Sequence, residues 1–120
     1  MSKACAALFA LALGACVHTE PFRSADGTVV PESIAVMERT ELGGVAQSVW
    51  IRGLDRSAPL LVLLHGGPGA SESALFRHFD AELERHFVVV YWDQRGAGRS
   101  YAADLPPSSL TIDRMLHDLD

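Results

Sequence analysis

Leu60-Leu61-Val62-Leu63-Leu64-His65-Gly66-Gly67-Pro68-Gly69 is an apolar run that stops abruptly at a glycine-rich turn. A continuous apolar run without a polar face predicts a strand covered on both sides, as in a parallel or mixed sheet. The strand delivers its C-terminal end to a loop almost free of side chains. Such a loop can bring bare backbone N–H groups close to a ligand, where they stabilise a phosphate or a developing oxyanion.

A similar junction lies downstream. Phe87 to Trp92 is a second apolar run, β-branched and aromatic, and it ends at Asp93-Gln94-Arg95-Gly96-Ala97-Gly98-Arg99-Ser100. Between the two, Ser73 to His86 predicts a helix. Leu75, Phe76, Phe79 and Leu83 fall on one face, with Arg77, Asp80, Glu84 and Arg85 mostly away from it. Ser71 or Ser73 is placed to cap its first turn. Upstream, Ile34 to Leu42 and Val45 to Arg52 flank Gly43-Gly44, a hairpin signal, and Gly53 to Pro59 is a polar connection. Tyr101 to Ser109 reads as a proline-bearing loop. Ile112, Met115, Leu116 and Leu119 then follow helical spacing from a start near Thr111. Hairpin, strand, helix, strand, helix is an α/β layout.

Phosphate chemistry fits these turns poorly. A dinucleotide fingerprint needs Gly-x-Gly-x-x-Gly entering a helix, and a P-loop needs Gly-Lys-Ser/Thr; neither is present. Oxyanion binding remains. No Gly-x-Ser-x-Gly nucleophile turn occurs in the 120 residues.

His65-Gly66-Gly67-Pro68-Gly69 followed by Trp92-Asp93-Gln94-Arg95-Gly96-Ala97-Gly98-Arg99-Ser100 resembles the α/β-hydrolase superfamily, in its proline iminopeptidase-like branch. The resemblance extends over roughly residues 32 to 120 and rests on two glycine turns, each on the end of an apolar strand. It implies the N-terminal part of an α/β-hydrolase fold: an antiparallel hairpin, then strands alternating with helices in a mostly parallel sheet. It also implies that the chain lacks the nucleophile elbow and the acid and histidine that follow it. By position, the resemblance makes the Gly67 backbone N–H the oxyanion donor, in a loop completed by His65, Gly66, Pro68 and Gly69. Pro68 has no N–H and rigidifies the turn, and the family pattern allows a cis Gly67-Pro68 bond. In the superfamily's chain order the triad histidine follows the serine, so His65 is expected to orient the loop.

The same resemblance places Asp93, Gln94, Arg95, Gly96, Gly98 and Ser100 beside the glycine loop, as its support. An equally simple reading is a strand-end turn held by an Asp93–Arg95 or Asp93–Arg99 pair. Ser71, Ser73 and Ser100 lie in no elbow and read as capping or turn residues. His78, His86 and His117 show no metal-ligand spacing. Neither a metal nor another cofactor is expected.

The composition is 48% hydrophobic and 21% charged, with a formal charge of −5. This leaves no basic footprint for nucleic acid. Lys3 and the short apolar segment Ala6 to Ala12 have the layout of an export signal, too short to span a bilayer. Leu13-Gly14-Ala15-Cys16 resembles the lipobox of bacterial lipoproteins, in which the cysteine carries the lipid. The expected organisation is therefore a signal peptide over 1–15, a lipid-anchored tether over 16–32 and an incomplete α/β-hydrolase domain over 33–120. Cleavage would remove Cys5 and acylation would occupy Cys16, leaving no thiol for a disulfide.

The expected function is the N-terminal portion of a serine hydrolase in the bacterial cell envelope, cleaving an N-terminal peptide bond or a related amide or ester. Its partners are a peptide or small amide or ester substrate, and the membrane through Cys16. An ordinary periplasmic or secreted location is the alternative. The chain alone is expected to aggregate or stay partly unfolded, with an open edge at Leu60 to Leu64, and to be catalytically silent. The alternatives are a non-catalytic lipoprotein or gene remnant, and an epoxide hydrolase or dehalogenase with aspartate in place of serine.

Overall fold

The computed structural model describes residues 18–66 and 69–120. The expected signal segment 1–15, the lipid site Cys16, and Gly67 and Pro68 with the bond between them lie outside the described residues.

Two long strands, β1 (Ile34–Leu42) and β2 (Val45–Gly53), form an antiparallel hairpin with Leu42 opposite Val45. The two-residue turn uses Gly43 and Gly44 at φ 54° and 81°, the left-handed geometry that matches strand twist. Gly43 is required sterically as well, since a Cβ there would lie 1.8 Å from Asp118 Oδ1.

β3 (Leu60–Leu64) and β4 (Val88–Asp93) pair in parallel, and β2 pairs antiparallel with the other side of β4, giving the sheet order β1-β2-β4-β3. The expected mixed α/β class is what the chain adopts. β4, flanked on both sides, is the buried centre: Val88, Val89, Tyr91, Trp92 and Asp93 are all buried. β3 departs from the expectation of a strand covered on both faces. Its residues alternate between exposed and half-buried, because among the described residues it has β4 on one side and nothing on the other. Among the described residues, no strand pairs with the outer edge of β3.

The segment predicted as one helix from Ser73 to His86 is divided. α1 spans Ser73–Phe79, and a separate 3₁₀ turn covers Ala81–Arg85. The chain leaves the helix at Asp80, whose N–H still bonds to the Phe76 carbonyl. This break changes the phase, and the buried face is not the expected one. Leu75 and Phe79 are exposed, while Glu84 is buried. Burial of this carboxylate is compensated by two hydrogen bonds and a second cation. Arg52 Nε and the Tyr91 hydroxyl each donate to it at 2.9 Å, and Arg77 Nε lies 2.7 Å away as an ion pair without hydrogen-bond geometry. Burial and then the hydrogen bond and charge of Glu84 hold the Tyr91 phenol above its ordinary range.

Gly98–Ser100 and Pro107–Ser109 form short 3₁₀ turns within the expected turn and loop. The final helix, α2 (Ile112–His117), starts where the spacing predicted, with Thr111 Oγ1 accepting the Arg114 N–H.

Over its described part, the segment expected as a lipid-anchored tether makes side-chain contacts with the sheet. Thr19 Oγ1 accepts from Trp50 Nε1 at 2.8 Å, the Glu20 carbonyl accepts from Arg52 at 2.7 Å, and Phe22 lies under the Arg52 guanidinium. Arg56 binds the carbonyls of Pro31, Glu32 and Ser33. Aperiodic sequence hid these contacts because they are made by isolated side chains.

Candidate active site

The parallel pairing of β3 and β4 sets Leu64 beside Trp92, so the chain leaves both strands at the same end of the sheet. The loop after β3 and the turn after β4 are therefore neighbours. Hydrogen bonds join them at two places.

The first joint is reciprocal. The Gln94 backbone N–H donates to His65 Nε2 at 3.0 Å, and Gln94 Nε2 donates to the His65 carbonyl at 2.9 Å. His65 is buried, which keeps water from competing for these bonds. The imidazole of His65 is thus occupied as an acceptor for the neighbouring turn.

The second joint is the buried Asp93 carboxylate. Its Oδ1 accepts from the hydroxyls of Ser71 and Ser73, and its Oδ2 accepts the Arg99 N–H at 2.9 Å. Neither serine caps α1 as expected: the N-cap position belongs to Glu72, and no side chain bonds to the helix N-terminus there. Ser100 completes the turn by donating to the Asp93 carbonyl and accepting the Ser48 N–H. Gly96 lies against Leu105 and Leu110. Gly98, at φ 48°, lies against Asp93 and Ser71.

The anticipated ion pairs of this turn are only partly made. Arg99 approaches Asp93 at 3.9 Å and is half exposed, a weak contact. Arg95 does not pair with Asp93. It reaches Asp118 instead, with Nε to Oδ2 at 2.7 Å and Nη2 to Oδ1 at 2.6 Å, both side chains being essentially inaccessible. Gln47 Nε2 donates to the same carboxylate at 2.8 Å, and Trp92 Nε1 donates to Gln47 Oε1 at 3.1 Å. Arg95 and Arg114 both reach the Gly43 carbonyl, tying the β1–β2 turn to α2. Burial pushes the Asp118 carboxyl up, but hydrogen bonds from Arg95 and Gln47 and the charges of Arg95 and Arg114 outweigh it. The group sits below the usual carboxylate range.

Asp118, Gln47 and Glu72 were not singled out from sequence. One signal was available for Asp118. It follows Met115 by three residues and so borders the apolar stripe of α2, where a carboxylate needs a cation.

A groove of about 320 Å³ opens beside the loop, lined by His65, Gly69, Gln94, Leu110, Ile112 and Met115 among others. A larger depression of about 570 Å³, lined by Gly43, Leu105 and Arg114 among others, shares Arg95 and Thr111 with the groove and touches no described residue of the glycine loop. The smaller groove is the better candidate because it adjoins the loop. The Ser71, Ser73 and Ser100 hydroxyls all serve Asp93 and have no histidine partner among the described residues. None of them is therefore set up as a nucleophile. No group of His, Cys, Asp and Glu among the described residues is arranged to hold a metal ion.

Comparison with known proteins bears on the fold. No family model matches the chain. In sequence it is 44% identical over 92 residues to the probable aminopeptidase YbaC of Bacillus subtilis, covering 75% of this chain and 29% of that protein. It is 43% identical over 58 residues to a probable proline iminopeptidase of Streptomyces coelicolor, covering 47% of this chain and 17% of that protein. Among solved structures, the proline iminopeptidase-related protein of Thermus thermophilus superposes with a TM-score of 0.62 at 34% identity. That match covers 72% of this chain and 30% of that structure. The chain has part of a proline iminopeptidase-like fold. It spans less than a third of the length of each of these proteins. Within this partial α/β-hydrolase-like fold, the two stapled glycine turns occupy the end of the sheet where β3 and β4 finish in parallel.

Proposed function

We propose that this chain supplies the oxyanion wall of a serine hydrolase that cleaves the N-terminal peptide bond of a peptide, or a related amide or ester. The observation that carries the reading is the double attachment of the glycine loop: His65 to Gln94 on one side, Ser71 and Ser73 to Asp93 on the other. Bonds at both flanks anchor the ends of the loop, and preorganisation is what makes oxyanion donors effective. The names of the related proteins supply the substrate class.

The serine, acid and histidine would come from residues other than 1–120. The serine Oγ attacks the carbonyl carbon and its proton passes to the histidine. The carbonyl oxygen becomes an oxyanion that accepts the Gly67 N–H. Collapse expels the amine with that proton, and water releases the acyl group by the same route. The groove beside His65 and Gln94, floored by Leu110, Ile112 and Met115, favours an apolar residue next to the scissile bond. Export and lipid attachment at Cys16 belong to the same reading and rest on the N-terminal sequence.

The test uses the polypeptide made from the complete coding sequence. It is expected to release p-nitroaniline from unblocked amino-acid anilides, prolyl among them, and to carry one phosphonylated serine after treatment with a fluorophosphonate. A folded protein with neither activity nor label supports the non-catalytic alternative. An alkylated aspartate after reaction with an epoxide or haloalkane supports the other. Incorporation of labelled palmitate, lost in Cys16→Ser, tests the anchor.

A further inference from the structure

We propose that Glu72 is a positioning residue, whose carboxylate fixes the first peptide plane of the glycine loop; its kinetic consequence rests on the hydrolase reading above. Glu72 occupies the N-cap position of α1, and its carbonyl accepts the Phe76 N–H at 2.8 Å as an N-cap should. Its side chain makes no bond to the helix. It turns back instead, and Oε2 accepts the Gly66 N–H at 3.0 Å.

The other end of the same peptide plane is also held. The His65 carbonyl, on the opposite side of the His65–Gly66 bond, accepts from Gln94 Nε2 at 2.9 Å. One peptide group therefore has its oxygen fixed by the turn after β4 and its N–H fixed by Glu72. A peptide plane that rotates must break both bonds at once. With either one gone, the His65–Gly66 plane at the entry to the loop can tilt.

Glycine at position 66 makes this second bond necessary. With no side chain of its own to pack, it offers little resistance to rotation, and it is exposed. The bond to an ionised acceptor is stronger than one to a neutral group. It also removes the Gly66 N–H from competition for the substrate oxygen, leaving that role to Gly67.

The contact is tested by selective ¹⁵N-glycine spectra of the protein made from the complete coding sequence. Glu72→Ala is expected to shift the Gly66 amide resonance upfield and to accelerate its exchange with solvent about tenfold, the loss of one charge-assisted bond at an exposed site. Glu72→Gln keeps an acceptor oxygen at the same reach and should retain most of the protection. Glu72→Asp keeps the charge but is one methylene shorter, and should behave as the alanine variant.

In the hydrolysis assay, Glu72→Ala and Glu72→Asp should lower kcat about tenfold while KM stays within about twofold. Glu72→Gln should restore kcat to within about threefold of the wild type. Unchanged Gly66 exchange in the alanine variant, or a released Gly66 amide with unchanged kcat, overturns the proposal. An effect confined to KM would do so too, by making Glu72 a substrate contact. If the wild-type protein hydrolyses nothing, the hydrolase reading fails by itself, and the amide spectra still decide the contact.

Discussion

Replacing Asp118 by alanine removes the acceptor for both Arg95 bonds, at 2.7 and 2.6 Å, and for the Gln47 amide at 2.8 Å. The Arg95 side chain is 1% exposed, so its charge cannot recover hydration without opening the structure. Breaking a buried pair from one side costs about 3–5 kcal/mol, because the remaining charge is left uncompensated. Ordinary domains are stable by about 5–15 kcal/mol, so this one substitution consumes a large share. With an m value of about 2 kcal/mol per molar, the urea midpoint should fall by about 1.5–2.5 M. The assay is equilibrium unfolding of the protein made from the complete coding sequence, followed by circular dichroism and tryptophan fluorescence. Trp92 reports directly, since its indole N–H is bonded to Gln47. The double variant Arg95→Met with Asp118→Leu removes both charges and should lose less than Asp118→Ala alone. The pH dependence has a definite sign. The Asp118 carboxyl is depressed in the fold, so its contribution is present above the unfolded aspartate pKa of about 3.9 and is lost as pH falls through the folded value. Asp118→Ala should therefore flatten the acid limb of stability. A loss below about 1 kcal/mol at neutral pH would refute the reasoning.

Gln94→Ala keeps the backbone bond to His65 Nε2 but deletes the one to the His65 carbonyl. With that bond worth about 1 kcal/mol, kcat should fall about fivefold with little change in melting temperature. Gly98→Ala is expected to destabilise by more than about 1 kcal/mol. It adds a Cβ 2.5 Å from Ser71 Cβ and 2.6 Å from Asp93 Oδ2, at φ 48°. It should also raise amide exchange at Ser71 and Ser73, because the Asp93 clamp is what it displaces.

Much of the backbone plan was legible because it is written in short-range patterns. Gly43-Gly44 between two strand-like runs marks the hairpin, and the spacing from Thr111 marks α2. The apolar runs located β3 and β4, yet they could not say which strand lies at the centre. That is a property of sheet order, and both runs look equally apolar. The face of the segment from Ser73 to His86 was misjudged because a helical wheel assumes one continuous helix. The break at Asp80 and the pull of Arg52, Arg77 and Tyr91 on Glu84 are tertiary effects. The candidate site was legible in its parts and not in its wiring. His65, Asp93 and Gln94 stand in the motifs, but Arg95 finds its partner 23 residues away, at the C-terminal cap of α2. Glu72 was hidden by its position, since a residue beside a helix start invites a capping explanation that its side chain does not follow.

The central claim is that the loop from His65 to Gly69 holds an oxyanion donor at Gly67 for acyl transfer. The measurement that tests it most directly compares Gly67→Ala with the wild-type protein in two rates: serine acylation by a prolyl anilide, and serine phosphonylation by a fluorophosphonate with loss of fluoride. On the proposed reading, a side chain at this position would crowd the substrate carbonyl and displace it from the N–H. Loss of one oxyanion donor costs about 2.7–4 kcal/mol, so both rates should fall by about 10²–10³ with the melting temperature unchanged. Rates within about twofold of the wild type, in a folded and active protein, would contradict the account.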